Sequence, residues 1–411
     1  MSFLYLTGSR FNLFSVGTVS EDPAGHAYGA ITKLYDSDPG SPHIFSGTSD
    51  DSYFRVRQNR LSNGGFETAS LSGWTNGSAG TGSAAETSVG AEVNSGTKAA
   101  KLDGSSGVNY GSLSQTVTVS AGEAFQITAW IKVASAGADQ GLVYVQNLRT
   151  GKYLTAAAAW QTTRTFCIGH STATYTQKDL QFSVESFDAC RVDTMPLKIE
   201  IYCESGPAYF DDILLVSGVT FAGIFGHNYG PVSPLVQSSD DGSAWTTRST
   251  MTIRRPAFYS TFSIVYAEYW QILLSGTNHE APYTGEAVLG QYQTAATSQD
   301  WGFSIEDEIP GVRNTGPSGR ASVYSFSRDP RQLLTMTVGP RSLTAARDLT
   351  GALWLRSEQG RYPVVAVPID TESDVIFGRM MEPMRLDRVF DAVYSAGGVM
   401  IQGDPFPTVG L

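Results

Sequence analysis

Leu113-Ser-Gln-Thr-Val-Thr-Val119 and Ala124-Phe-Gln-Ile-Thr-Ala-Trp-Ile-Lys-Val133 alternate apolar and polar side chains, and Gly141-Leu-Val-Tyr-Val-Gln146 and Leu197-Lys-Ile-Glu-Ile-Tyr202 read as strands of the same kind. A period of two places every second residue on one face, as an antiparallel strand with one buried side requires. Ser120-Ala-Gly-Glu123 and Ala134-Ser-Ala-Gly-Ala-Asp139 punctuate the runs as turns. The prediction is a β-sandwich.

Composition extends that prediction to the whole chain of 411 residues, which has room for two to four domains. Charged residues are 16%, Gly numbers 43 and aromatics are 11%, the usage of short strands joined by tight turns. An all-β chain is expected. Its formal charge of −11, with no basic run near the aromatics, argues against polyanion binding as a main role and against nucleic acid as a partner. No apolar run reaches the roughly 18 residues a spanning helix needs, so membrane insertion is not expected. The opening residues lack the basic and apolar regions of a signal peptide, which predicts a protein kept in the cytoplasm or released by another route. Cys167, Cys190 and Cys203 cannot all pair with one another and have no metal-ligand spacing.

Basic-residue usage divides the chain. Residues 61–217 hold six Lys and three Arg, whereas the rest holds one Lys and eighteen Arg; all three cysteines also fall in 61–217. This reads as an insertion. Leu61-Ser-Asn-Gly-Gly-Phe-Glu-Thr68, then Ser72-Gly-Trp74, and the closing Ala208-Tyr-Phe-Asp-Asp-Ile-Leu-Leu215 resemble the two ends of carbohydrate-binding modules with a galactose-binding-like jelly roll. In that family the two ends lie side by side, which implies that Glu67 and Asp212 sit on adjacent strands. The resemblance further implies a structural Ca2+ there, since two carboxylates with backbone carbonyls make the oxygen cage the ion prefers. Two solvated strand-end acids are the alternative, and alternation places Asp211 on the other face.

A sugar needs a flat aromatic surface and planar polar groups. Candidates within 61–217 are Tyr144 and Trp160 first, then Tyr110 and Tyr153, with Gln146, Asn147 and Arg149 as polar partners. Core packing is the competing role for each ring, and Trp74 and Trp130 are expected in the core.

In the flanks, Phe54-Arg-Val56, Ser239-Asp-Asp-Gly-Ser-Ala-Trp245, Tyr269-Trp-Gln-Ile272, His227-Asn228 and Glu286-Ala-Val-Leu-Gly290 resemble discoidin-like sandwiches of tailed-bacteriophage virion structural proteins. Asp241-Gly242 is a hairpin turn. The expected domains are 1–60 with 218–284 as a split discoidin-like sandwich, 61–217 inserted, and 285–411 as a β-rich assembly domain. The last would carry one short helix near Pro340–Thr350, capped by Ser342.

This resemblance implies a structural, non-enzymatic virion component of the tail, tail tip or baseplate, made in the host bacterial cytoplasm. Its partners would be other virion proteins, further copies of itself in a symmetric assembly, and host-surface polysaccharide. The alternative is an accessory or lectin-like carbohydrate-binding protein linked to polysaccharide degradation. Glu306-Asp307-Glu308 could suggest a glycosidase, but neighbours on a strand face opposite ways, and the run reads as solvated. No nucleophile elbow, phosphate loop, zinc-protease or dinucleotide motif occurs. The five histidines are dispersed.

Overall fold

The computed structural model describes residues 3–7, 12–21, 26–28, 43–45, 52–68, 71–137, 140–186, 194–227, 233–251, 257–274, 283–295, 303–308, 311–315, 321–325, 331–341, 364–367, 375–381, 385–390 and 393–403. The chain is all-β and antiparallel wherever strands pair, and it divides into two compact units, Asn59–Gly218 and Met1–Gln58 with Val219–Leu411. Among the described residues no helix is long and apolar enough to cross a membrane.

In Asn59–Gly218, one sheet runs in the order Trp160–Gln161, Tyr153–Leu154, Gly141–Asn147, Thr194–Cys203, Gly111–Ser120, Thr75–Asn76, with Ile168–His170 also on Gly141–Asn147. The facing sheet places Ala124–Val133 between Thr176–Ser183 and the first half of Gly206–His227, with Ala99–Gly104 and Ser83–Thr87 beyond. Alternate residues of both sheets meet in one core: Leu113, Val117, Val143, Val145, Leu197, Ile199 and Ile201 from one, Phe125, Ile127, Ile131, Phe210, Ile213 and Leu215 from the other. Burying a Val, Leu, Ile or Phe side chain contributes about 1.5–3 kcal/mol, so this double layer dominates the unit's stability.

The ends of the unit are tied together. The Arg60 N–H donates to Leu215 O at 2.9 Å and the Ile213 N–H to Gly64 O at 2.9 Å. Asn59 reinforces this join, accepting from the Leu215 N–H at 3.1 Å and donating to Ile213 O at 3.3 Å. Gly64 is required here, because a Cβ would lie 2.0 Å from Ile213 O. Trp74 is core, tilted against Phe66 with centroids 5.4 Å apart. Trp130, expected beside it, is half-buried on the outer face of its strand, because Phe125, Ile127, Ala129 and Ile131 take the inward positions.

The second unit has a five-stranded sheet, Thr246–Thr250, Leu235–Ser239, Tyr269–Leu274, Ser52–Arg57, Thr18–Glu21. Its inner side chains Val236, Trp270, Ile272, Phe54 and Val56 pack with Val219, Ala222, Ile224, Ala287 and Leu289. The hairpin expected at Asp241-Gly242 closes through a longer loop, with Ser238 opposite Thr246 as its last pair: Gly242 has φ +72°, and Asp241, not at positive φ, accepts from the Ser243 and Ala244 N–H groups at 2.8 and 2.9 Å. A short helix, Leu13–Val16, is capped by Asn12, which accepts from the Phe14 N–H at 3.2 Å.

The boundary expected at 284/285 is not where the chain divides. Tyr283–Gly290 runs through it while pairing with the second half of Gly206–His227. Phe3–Thr7 pairs with Gln293–Ala295 and Val364–Val367, so N-terminal residues complete a sheet of the C-terminal region. Of the expected helix, Pro340 and Arg341 belong to the strand Arg331–Arg341, and 342–350 lie outside the described residues.

Candidate functional site

The strands of the first sheet in Asn59–Gly218 spend one face on the core and offer the other. Across the offered face the register aligns Ser112, Tyr202 and Leu142, then Ser114, Glu200 and Tyr144, then Thr116, Lys198, Gln146 and Tyr153. Tyrosines and polar groups therefore interleave on one surface. Leu142, Tyr144 and Tyr202 form its buried floor, with Tyr110 and Tyr153 half-buried against them. Tyr110 and Tyr202 are tilted with centroids 4.8 Å apart, and Tyr144 meets Tyr202 edge-on at 5.6 Å.

The connection after Trp160–Gln161 closes over this floor. It is anchored by Cys167, whose N–H and thiol both donate to Val143 O, at 2.9 and 3.3 Å. Burial pushes the Cys167 thiol up to about 12, so it is an inert anchor. The anchor brings the Arg164 guanidinium 4.5 Å from the Tyr144 centroid and 4.9 Å from that of Tyr202. Tyr144 and Tyr202 consequently retain only 8% and 2% exposure. Burial raises both phenol pKa values, with Arg164 pulling the other way. Burial also opposes the Arg164 charge, but Glu200 and the phenols outweigh it and its pKa rises.

Phe166, in the same connection, is 41% exposed. A Cβ at Gly169 would meet the Phe166 ring at 3.0 Å and Leu142 at 3.5 Å, so the absence of a side chain there lets the ring lie next to the floor. The offered groups are thus the rings of Tyr110, Tyr153 and Phe166, the Arg164 guanidinium, and Gln146, Lys198 and Glu200. Tyr202, Arg164, Phe166 and Glu200 were not among the candidates from sequence. Tyr202 and Glu200 could have been found, since they alternate with Ile199 and Ile201 on a strand already recognised.

Tyr144, Tyr110, Tyr153 and Gln146 come together on this face; three other candidates do not. Trp160 pairs with Leu154, a core residue, and so points inward, edge-on to Phe182 at 6.1 Å with its Nε1–H donating to Ser183 O at 2.9 Å. Asn147 is 0% exposed and structural: its Nδ2 donates to Glu185 at 2.8 Å and its Oδ1 accepts from the Arg149 N–H at 2.9 Å. Arg149 is an exposed residue of that turn.

Near the unit's ends, Thr128 sits opposite Leu214 but Trp130 opposite Asp211, so Gly206–His227 carries one extra residue. Asp212, at φ +45°, forms this bulge. The bulge breaks the alternation that would have sent Asp211 and Asp212 to opposite faces. Asp211 accepts from the Asn94 and Ser95 N–H groups at 2.9 and 3.1 Å, and Asp212 from Asn94 Nδ2 and Ser95 Oγ at 3.0 and 2.9 Å. Glu67 clasps the same loop, accepting from the Thr97 and Lys98 N–H groups at 2.9 and 3.1 Å and from Thr97 Oγ1 at 2.7 Å. Burial pushes the Asp211 carboxyl up to about 6, against the pull of these N–H groups. The oxygens of Glu67 and Asp212 thus face N–H and O–H donors, which a cation would have to displace. Among the described residues no group of three or more His, Cys, Asp or Glu is arranged to hold a metal.

Residues 58–189 match the family described as a carbohydrate binding domain. Among solved structures, the chain is similar to TmCBM61 in complex with beta-1,4-galactotriose, at 19% identity and a TM-score of 0.28, covering 38% of this chain and 97% of that one. It is similar to the CBM22-1 xylan-binding domain of Paenibacillus barcinonensis Xyn10C at 15% identity and 0.29, covering 39% and 95%. It is also similar to the enzymatically active domain of Bacteriophage CBA120 tailspike protein 4, at 16% identity and 0.27, covering 38% of this chain but 21% of the tailspike. At these scores the structural likenesses carry no inference about this chain. A search of curated protein sequences gives no match. The matched segment and the interleaved face fall in the same unit.

Proposed function

We propose that the protein binds a polysaccharide on the outward face described above and does no chemistry on it. The observation that carries this reading is the segregation of side chains on shared strands: Val143, Val145, Ile199 and Ile201 turn to the core, while Tyr144, Gln146, Glu200 and Tyr202 turn to the opposite face. Pyranose rings stack on Tyr110, Tyr153 and Phe166, and their hydroxyls meet Gln146, Lys198 and Glu200. The test is titration of the full chain with bacterial surface polysaccharides. Saturable binding that Tyr153→Ala weakens by about ten-fold, as loss of one stacking ring should, supports the reading. Binding unchanged in Tyr153→Ala and Phe166→Ala moves the site off this face.

The setting we infer is a tailed-phage virion, in which the protein is a structural part of the tail, tail tip or baseplate and the sugar is on the host surface. This rests on the flanking sequence pattern and on the break in Lys and Arg usage at the edges of 61–217. Antibody against the chain should label purified particles. Labelling of free protein only would favour the lectin-like alternative. A Ca2+ ion at Glu67 and Asp212 belongs to the same set of proposals: it would replace the donors of loop 94–98. Chelation that lowers the melting temperature supports it, and an unchanged melt removes it.

A further inference from the structure

We infer that the face selects glycans bearing carboxylates, uronic acids in a polysaccharide, and that Arg164 is the residue that takes the acid. This deepens the glycan-binding proposal and rests on it. The centre of the face is not an aromatic surface. With Tyr144 and Tyr202 at 8% and 2% exposure, a pyranose cannot stack on either ring, and what the ligand meets there is the guanidinium laid over them.

That guanidinium is restricted and under-used. Its Cζ lies over both rings, which restricts the side chain and leaves less rotamer freedom to be lost when it forms a fork with a carboxylate. Its side chain is 44% exposed, and among the described residues its one hydrogen bond runs to Glu200 Oε2 at 3.4 Å. A guanidinium has five N–H donors, and bidentate pairing with a carboxylate is the strongest use of them. Glu200 does not lose its only cation when Arg164 turns to a ligand, because Lys198 Nζ also holds it at 3.2 Å. The acid can therefore be exchanged without leaving a carboxylate unpaired.

The flanking rings complete the fit. Tyr110 and Tyr153 pack against the tyrosine floor that the guanidinium covers, Phe166 lies two residues along the same connection, and all three remain open enough to receive sugar rings next to an acidic residue. The overall charge of −11 opposes a dense polyanion at long range, so the selection operates through contact with individual uronates.

The experiment compares polymers whose carboxylates are spaced apart (hyaluronan, and polygalacturonate with most of its carboxyls methyl-esterified) with their carboxyl-reduced forms, using the full chain at physiological salt. We expect at least one acidic polymer to bind, with a loss of about ten-fold or more on carboxyl reduction and a similar loss in Arg164→Ala. Arg164→Lys should keep the charge but lose the fork, and bind about several-fold more weakly. Equal binding of the acidic and reduced forms, or native affinity in Arg164→Ala, overturns acid selection. If Tyr153→Ala still weakens binding in that case, the glycan-binding proposal survives alone. Failure of every polymer, acidic or reduced, to bind the folded chain overturns acid selection, and the glycan-binding proposal falls as well only if the titration with bacterial surface polysaccharides also shows no binding.

Discussion

Among the described residues two arginines, Arg55 and Arg164, each lie over two aromatic rings, and they do opposite things. Arg55, on the strand Ser52–Arg57, sits 3.8 Å from the Tyr53 centroid and 4.8 Å from that of Trp245. Its Nε donates to Gln271 Oε1 at 2.6 Å; Gln271 in turn donates to Gln237, and Gln237 Nε2 to Thr247 Oγ1 at 3.0 Å. Arg55 thus ends a chain of side-chain hydrogen bonds crossing four strands of one sheet. Arg164 also lies over two rings but comes from a connection between short strands, and among the described residues its side chain makes a single 3.4 Å hydrogen bond. Two rings restrict a guanidinium in both places; what its N–H groups already hold decides whether it is part of the fold or open to a ligand.

The comparison can be broken by substitutions that separate stability from binding. The largest expected effect is Asn147→Ala, which removes the acceptor of the turn and a donor to buried Glu185, at a cost of about 2–3 kcal/mol in chemical unfolding of the full chain. Glycan affinity of the folded protein should not change. Trp160→Ala should follow at about 2 kcal/mol, since the ring packs on Phe182 and the core while half-exposed. Retained binding is expected there too; a lost site would restore Trp160 to the sugar platform.

Arg55→Ala should cost about 1–2 kcal/mol, because buried Gln271 loses a charged donor, and should leave glycan titrations unaltered. Arg164→Ala should be the smallest stability change, about 0.5–1 kcal/mol for a part-exposed guanidinium lying over two rings. A stability loss for Arg164→Ala matching that of Arg55→Ala would mean the two arginines are alike, and the contrast would fall.

Much of the Asn59–Gly218 unit is legible in its residues. The strands 111–120, 124–133 and 141–147 follow from period-two alternation, and the joined ends follow from the Leu61–Thr68 and Ala208–Leu215 segments. Tyr144 and Gln146 fall on one face by the same periodicity. Trp160 was misplaced because Trp160–Gln161 is a two-residue strand, too short to carry a period, and its direction is inherited from pairing with Tyr153–Leu154. Arg164 and Phe166 lie in a connection, where no periodicity tells which way a side chain points. The Asp211–Asp212 pair was misassigned because a single bulge residue reverses every parity argument that passes through it.

Local chemistry was enough for fold class, for most strands of the sandwich and for the place of the Asp241-Gly242 turn, because backbone preference and two-residue periodicity act between near neighbours in the chain. The inward turn of Trp160, the placement of Arg164 over Tyr144 and Tyr202, and the clasp of loop 94–98 by Glu67, Asp211 and Asp212 depend on partners far away in sequence. Such contacts exist only once two sheets have closed over one core. At that point the pairing register and the space left by Gly169 settle which side chains the protein keeps for itself and which it presents.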